Sequence, residues 1–303
     1  MKEIMPRYMR EFRCIASACR HSCCVGWEID IDDETLAYYR SVEGAFGKRL
    51  AENIAQGEET ACFRLGKDER CPFLNEKGLC DIYTELGEGA LCQICSDHPR
   101  FRNYFSNCTE LGLGLCCEAA AELVLSQKGK WELDTLWDDG EKQMPSDAEE
   151  ALLTLREELF SLLWEDAPVS LLAEKMQEKP LPEMDWCAKL RELEQLDPAW
   201  DRYLSALSAA PKQVWDAPMD VFDMAFRNLL TYFLYRHLTG AENEAQRRAR
   251  VGFAYLAYRV IRALCANPKE CTFADLAEFC RLYSSEIEYS EENTEILLHL
   301  LGD

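Results

Sequence analysis

No stretch of the 303 residues approaches the ~18 consecutive apolar residues that a membrane span requires. The opening, MKEIMPRYMREF, lacks the apolar segment of a secretory signal, so the expected location is the cytoplasm and no membrane partner is expected. Positive charge is scarce: 33 Lys and Arg stand against 55 Asp and Glu, a formal charge of -22. Such a surface repels a phosphate backbone, which argues against nucleic acid as a partner. It favours encounter with cationic surfaces, for example a lysine-bearing protein. Internal repeats and low-complexity tracts are absent, and with 48% hydrophobic residues the chain has enough apolar material for one large domain or two ordinary ones.

What is abundant is cysteine. Sixteen thiols in a chain of this length, expected in a reducing compartment, are better explained by metal or cluster ligation than by disulfides. Twelve lie between Cys14 and Cys117, and only Cys187, Cys265, Cys271 and Cys280 follow, which marks an N-terminal metal-binding module. The later cysteines Cys187, Cys265 and Cys280 fall among apolar helical positions and are expected in the core.

The rest reads as helix. Asp33 can cap a segment in which Leu36, Tyr39, Phe46, Leu50 and Ile54 recur at near-helical spacing until Gly57. The polar stretch KGKWELDTLWDDGEKQMPSD has no apolar period and is expected to be a linker or exposed connection. Ser146 and Glu149 then form an S-x-x-E capping box ahead of EALLTLREELFSLLWE. Long helices are expected from near Pro218 to Gly240 and through EAQRRARVGFAYLAYRVIRALCA to a stop before Pro268. Thr272 with Asp275, and then Ser290, open the last two helices.

Three groups of thiols carry the chemistry. Cys14, Cys19, Cys23 and Cys24 stand within eleven residues. In CPFLNEKGLC, Pro72 removes a backbone donor and Gly78 permits a tight return that brings Cys80 toward Cys71. In LCQICSDHPR, Cys92 and Cys95 stand at i and i+3. Paired thiolates joined by long-range folding build a tetrahedral sulfur cage, and both zinc and iron–sulfur clusters accept one. The residues alone leave open a redox dithiol at Cys92 and Cys95, and small buried hydrophobes at Cys116 and Cys117. His21 and His98, inside these groups, read as neighbours rather than ligands. The C-x-x-x-C-x-x-C signature of radical enzymes is absent, because Gly26 stands where its third thiol would be.

The runs YMREFRCIASACRHSCCVGWEIDID, CPFLNEKGLCDIYTELGEGALCQICSDHPR and LGLGLCCEAAAELVL resemble, in order and spacing, the flagellin lysine N-methylase family over about residues 8 to 125. FRNLLTYFLYRHL and RVGFAYLAYRVIRALC extend the likeness more loosely. The resemblance implies a cytoplasmic enzyme that moves methyl groups from S-adenosylmethionine to surface lysines of flagellin, with an iron–sulfur cluster on N-terminal cysteines. Carried over position by position, those cysteines are Cys14, Cys19, Cys23, Cys24, Cys71, Cys80, Cys95 and Cys116; His21, His98 and Cys117 depart from the family pattern. The same half also resembles, more distantly, small bacterial Cys-rich proteins that share the CC and CPFL elements and bind zinc or an iron–sulfur cluster.

Methylating a lysine requires a neutral amine aligned with the donor's methyl group, a task suited to carboxylates and tyrosines. GWEIDID places Glu28, Asp30 and Asp32 beside Trp27, but the alternation reads first as a strand edge with solvated acids. No G-x-G-x-x-G links a strand to a helix, which argues against a doubly wound donor-binding fold. The expectation is therefore a mainly α-helical protein with a Cys-rich iron–sulfur or metal-binding module over 1–125, a linker over 126–145 and an α-helical region over 146–303. Its expected function is flagellin lysine N-methylation from S-adenosylmethionine, with a [4Fe–4S] cluster, or zinc in its place, held by Cys14, Cys19, Cys23, Cys24, Cys71, Cys80 and Cys95. The alternative is a non-enzymatic zinc- or iron–sulfur-binding interaction module.

Overall fold

A computed structural model describes residues 2–57, 60–140, 143–267 and 270–302. Its strands are β1 (Lys2–Pro6), β2 (Asp30–Ile31), β3 (Ile54–Gln56), β4 (Ala61–Phe63), β5 (Arg100–Tyr104), β6 (Cys108–Leu113) and β7 (Leu133–Asp138). Its helices are α1 (Asp33–Ser41), α2 (Gly44–Asn53), α3 (Asp81–Leu86), α4 (Gln93–Asp97), α5 (Glu118–Leu125), α6 (Asp147–Leu163), α7 (Val169–Lys175), α8 (Trp186–Glu192), α9 (Pro198–Ser208), α10 (Asp223–His237), α11 (Glu244–Ala266), α12 (Phe273–Tyr283) and α13 (Glu291–Gly302). The chain is mainly α-helical. It divides into a small unit, Arg13–Arg100, and a large unit made of Met1–Phe12 with Phe101–Asp303.

In the small unit, β2, β4 and β3 form an antiparallel sheet in which Cys62 pairs with both Asp30 and Ala55. Ile29 and Ile31 point into the core while Glu28 and Asp30 face solvent, the alternation expected of a strand edge. The helix expected after Asp33 is two helices. Val42 is extended and Gly44 takes a positive φ of 80°, so the chain turns between α1 and α2. Asp32, one residue earlier than expected, caps α1 by accepting the Thr35 amide at 2.9 Å. Tyr39, Phe63, Phe73 and Ile82 fill the core.

The large unit combines a four-stranded sheet, ordered β5-β6-β1-β7, with the remaining helices. β1 runs parallel to β6, with Ile4 opposite Glu110, and antiparallel to β7. The polar stretch expected to be a connection thus carries a strand: β7 pairs through its backbone while Leu133, Leu136 and Trp137 stay exposed, so no apolar period announces it. Residues 141 and 142 of the expected linker lie outside the described residues, as does Pro268, but α11 ends at Ala266 as its sequence predicts. Ser146 caps α6 through the Glu149 amide, whereas the Glu149 carboxylate turns to the Ser106 amide and hydroxyl. Thr272 and Asp275 complete their capping box at α12.

α10 is apolar on nearly every side, and every residue from Ala225 to Tyr235 is buried, with α5 and α11 packed against it. Its polar side chains are internally satisfied. Arg227 donates to the carbonyls of Leu163, Glu165 and Ala167 and pairs with Asp223 at 2.6 Å, satisfying carbonyls at the end of α6. Asn228 donates to Leu125 and Gln127 and accepts the Trp131 indole at 3.0 Å. Glu288 ends a π-helical turn, Ser284–Glu288, where its carboxylate accepts from Tyr232 at 3.0 Å and from His237 at 2.5 Å, beside Arg236 at 3.5 Å. His237, read from sequence as structural or exposed, is a half-buried structural partner of this acid. No helix among the described residues is long and apolar enough to cross a membrane.

Candidate metal centre

The thiols of the small unit are set by backbone pairing between distant segments. Val25 bridges Arg70, the Cys71 amide donates to the Cys24 carbonyl at 2.8 Å, and the Gly26 amide donates to Glu69, so the CC pair is fixed beside Cys71. The return predicted for CPFLNEKGLC is present. Leu74 bridges Cys80, Gly78 has φ of 71°, and the Asn75 side chain accepts the amides of Lys77 and Leu79. Arg49 braces this loop from α2: it pairs with Asp81 at 2.6 Å, donates to the Pro72 carbonyl and lies over the Phe73 ring.

The third segment is tied in through Asp32. One of its oxygens caps α1 and the other accepts the Gln93 amide at 2.8 Å, at the start of α4. Tyr39 adds a hydrogen bond to the Ala90 carbonyl at 2.7 Å. Cys92 and Cys95, on the first turn of α4, bring their sulfurs within 3.3 Å of each other.

Five sulfurs thereby join one apolar cluster: Cys71 and Cys92 are buried in it, and Cys24, Cys80 and Cys95 pack against it. They feel one another electrostatically. A hydrogen bond from Cys23 holds the Cys24 thiol down to about 7 against the opposing effect of burial, with help from Arg70. Burial pushes Cys71 up to about 12 and raises Cys80, and neighbouring thiolates add to both shifts. In the Cys92–Cys95 pair the shared hydrogen bond lowers Cys92 and raises Cys95. Cys24 and Cys92 are thus lowered, while Cys71, Cys80 and Cys95 are raised by burial or hydrogen bonding together with neighbouring thiolate charge.

Of the residues singled out from sequence, Cys24, Cys71, Cys80 and Cys95 meet in this cluster. Cys23 is exposed and supports Cys24; its carbonyl accepts the Trp27 indole at 2.6 Å. Cys14 is exposed, its sulfur accepting the Ala16 amide, and the Cys19 thiol donates to the His21 carbonyl at 3.1 Å. Cys116 belongs to the large unit, where burial raises its thiol to about 12 and Tyr289 is its hydrogen-bond partner. His98 packs near Trp27, and burial lowers its imidazole to about 4, so it stays neutral at physiological pH. Cys92 lies outside the expected ligand set although its C-x-x-C spacing marks it, and Asp32, one of the acids beside Trp27 that read first as a solvated edge, ties α1 to the start of α4.

Among the described residues, no three His, Cys, Asp or Glu side chains already stand in an arrangement that holds a metal ion. The donor set nevertheless suits a soft metal in kind: sulfur only, drawn from three segments, with apolar walls. The Cys92–Cys95 separation of 3.3 Å is shorter than the edge of about 3.8 Å that a zinc–thiolate tetrahedron implies, so ligation would spread that pair.

Comparison with known proteins decides the family. The chain is 32% identical over 138 residues, 42% of its length, to the flagellar biosynthetic protein FliU of Salmonella muenchen, and the match covers 80% of that protein. The same identity over the same length relates it to the lysine N-methylases of Salmonella typhimurium and Salmonella choleraesuis. The chain belongs to the flagellin lysine N-methylase family. The match spans 34% of the length of those two lysine N-methylases, about a third. No family model matches the chain, and no solved structure matches it.

Proposed function

We propose that this chain transfers methyl groups from S-adenosylmethionine to lysine side chains of flagellin, and that its small unit carries an iron–sulfur cluster of the [4Fe–4S] type. The observation that carries this reading is the relationship to proteins named for lysine N-methylation and flagellar biosynthesis. The convergence of Cys24, Cys71, Cys80, Cys92 and Cys95 supports the cluster, with zinc as the alternative occupant of the same thiols. Held on thiolates, a cluster supplies an iron centre of tunable redox potential.

The chain's own residues would do the rest. Phe73 and Ile82 exclude water from the sulfurs, Asp32 and Arg49 hold the segments that present them, and the acidic surface draws in a lysine-bearing partner. The substrate amine must be neutral to form its new N–C bond, so a proton leaves before or during attack.

The test is anaerobic incubation of purified protein with flagellin and S-adenosylmethionine, read by mass spectrometry. Mono- to trimethyl-lysine with matching formation of S-adenosylhomocysteine is expected. If neither forms with cluster-loaded protein, the chain is a non-enzymatic metal-binding module. The close Cys92–Cys95 approach favours one further reading, a redox dithiol, which predicts a reversible thiol titration that survives metal removal.

A further inference from the structure

We propose that a cleft in the large unit binds an organic onium cation, either a sulfonium or a methylated ammonium. The cleft, about 530 Å³, falls within the range of small-molecule sites. Trp186, Trp215 and Tyr255 line it, and Glu174 and Glu183 stand at its rim. Aromatic faces carry the negative lobe of a quadrupole, and a soft, weakly hydrated cation gains most from them when carboxylates complete the shell.

The charges around the cleft select a cation rather than an anion. Glu174 and Glu183 have no ion-pair partner among the described residues. Arg259, which also lines the cleft, is engaged by Asp216 at 3.0 Å, donates to the Tyr255 hydroxyl at 3.4 Å and lies over the Tyr255 ring at 6.0 Å, which leaves Trp186 and Trp215 as the aromatic partners for a bound cation. Glu178 lies 4.0 Å from Arg248, and Lys179, exposed on the rim, is the remaining cation of the lining. Two carboxylates thus face the cleft against one uncommitted ammonium. Arg262 donates to the Trp215 carbonyl and, at 3.2 Å, to the Tyr258 hydroxyl, which fixes the backbone that presents the Trp215 ring before any ligand arrives.

The choice of onium rests on the methyl-transfer reading, because such a reaction presents two of them: the sulfonium of the methyl donor and the methylated ammonium of the product lysine. Isothermal titration of the full chain, without flagellin, distinguishes the sources. One arm compares S-adenosylmethionine with S-adenosylhomocysteine, whose thioether lacks the sulfonium charge; the other compares a trimethyl-lysine peptide with the same peptide carrying norleucine.

In at least one arm the cation is expected to bind roughly tenfold more tightly than its neutral partner. Glu174→Gln with Glu183→Gln is expected to remove that preference, and Trp215→Leu to weaken the cation by a similar factor. Both glutamates are exposed, so the double variant reads out even if Trp215→Leu does not fold. Equal affinity for charged and uncharged ligands in both arms, absence of binding, or a preference untouched by the glutamine variants overturns the cleft. Methyl-lysine formed without cleft binding sinks only this inference, whereas cleft binding without any methyl transfer sinks only the enzymatic reading.

Discussion

In the large unit, buried charge is answered by buried charge: Arg156 meets Glu110 through two hydrogen bonds at 2.5 and 2.8 Å while lying over the rings of Phe105 and Tyr235. In the small unit the clustered polar groups are thiols of one kind, and at Cys71 and Cys80 neighbouring thiolates add to burial in raising the pKa. A polar set of the first sort is matched in charge as folded. A set of the second sort gains from a cation that lets several thiolates coexist, because metal binding and thiol deprotonation are linked.

The largest expected effect comes from breaking the charge-matched pair. Arg156→Leu leaves Glu110 buried without its partner and should cost about 3–5 kcal/mol in urea unfolding, while adding Glu110→Leu should recover most of that loss. If the single variant is as stable as the parent, the large unit does not depend on matched charge.

Acid unfolding tests the same principle at Glu288. Burial alone would raise this carboxyl, but Arg236 and the His237 hydrogen bond outweigh it and hold it at about 2, while burial lowers His237 itself. The folded value lies below the unfolded one, so the stabilisation is complete above about pH 4.3 and is lost as the pH falls toward 2. That window is worth on the order of 3 kcal/mol, and Glu288→Gln should flatten the pH dependence of stability between those limits.

The small unit should respond in composition before it responds in stability. Cys71→Ser should lose bound iron or zinc on anaerobic purification, whereas Cys187→Ser, a buried cysteine of the large unit, should keep it. Full metal content in the Cys71 variant would remove the centre from this cluster. The smallest effect expected is at a helix end: Thr272→Ala breaks the capping box of α12 and should cost about 1 kcal/mol by thermal unfolding.

Helices with strong apolar content or explicit caps were legible in advance. α11 begins and ends where its sequence predicts, and Ser146 and Thr272 cap as their spacing implies. Short-range signals suffice there, because capping and helical burial involve residues within a few positions. The small unit's strand edge was equally readable, from the alternation of Ile29 and Ile31 with Glu28 and Asp30. β7 was not, since its polar residues join the sheet through backbone hydrogen bonds to β1, more than a hundred residues away. The break at Gly44 was missed because the apolar spacing continues across it.

The sequence alone determined the helical class, the family likeness and the three thiol-bearing segments, because periodicity, capping and cysteine spacing are local properties of a chain. Which sulfurs meet was decided only by tertiary structure. Cys92 enters the apolar cluster beside Cys24, Cys71, Cys80 and Cys95, and Cys14 and Cys19 are not part of it. That outcome depends on backbone pairing between Val25 and Arg70 and on the Asp32 carboxylate holding the start of α4, contacts between segments tens of residues apart.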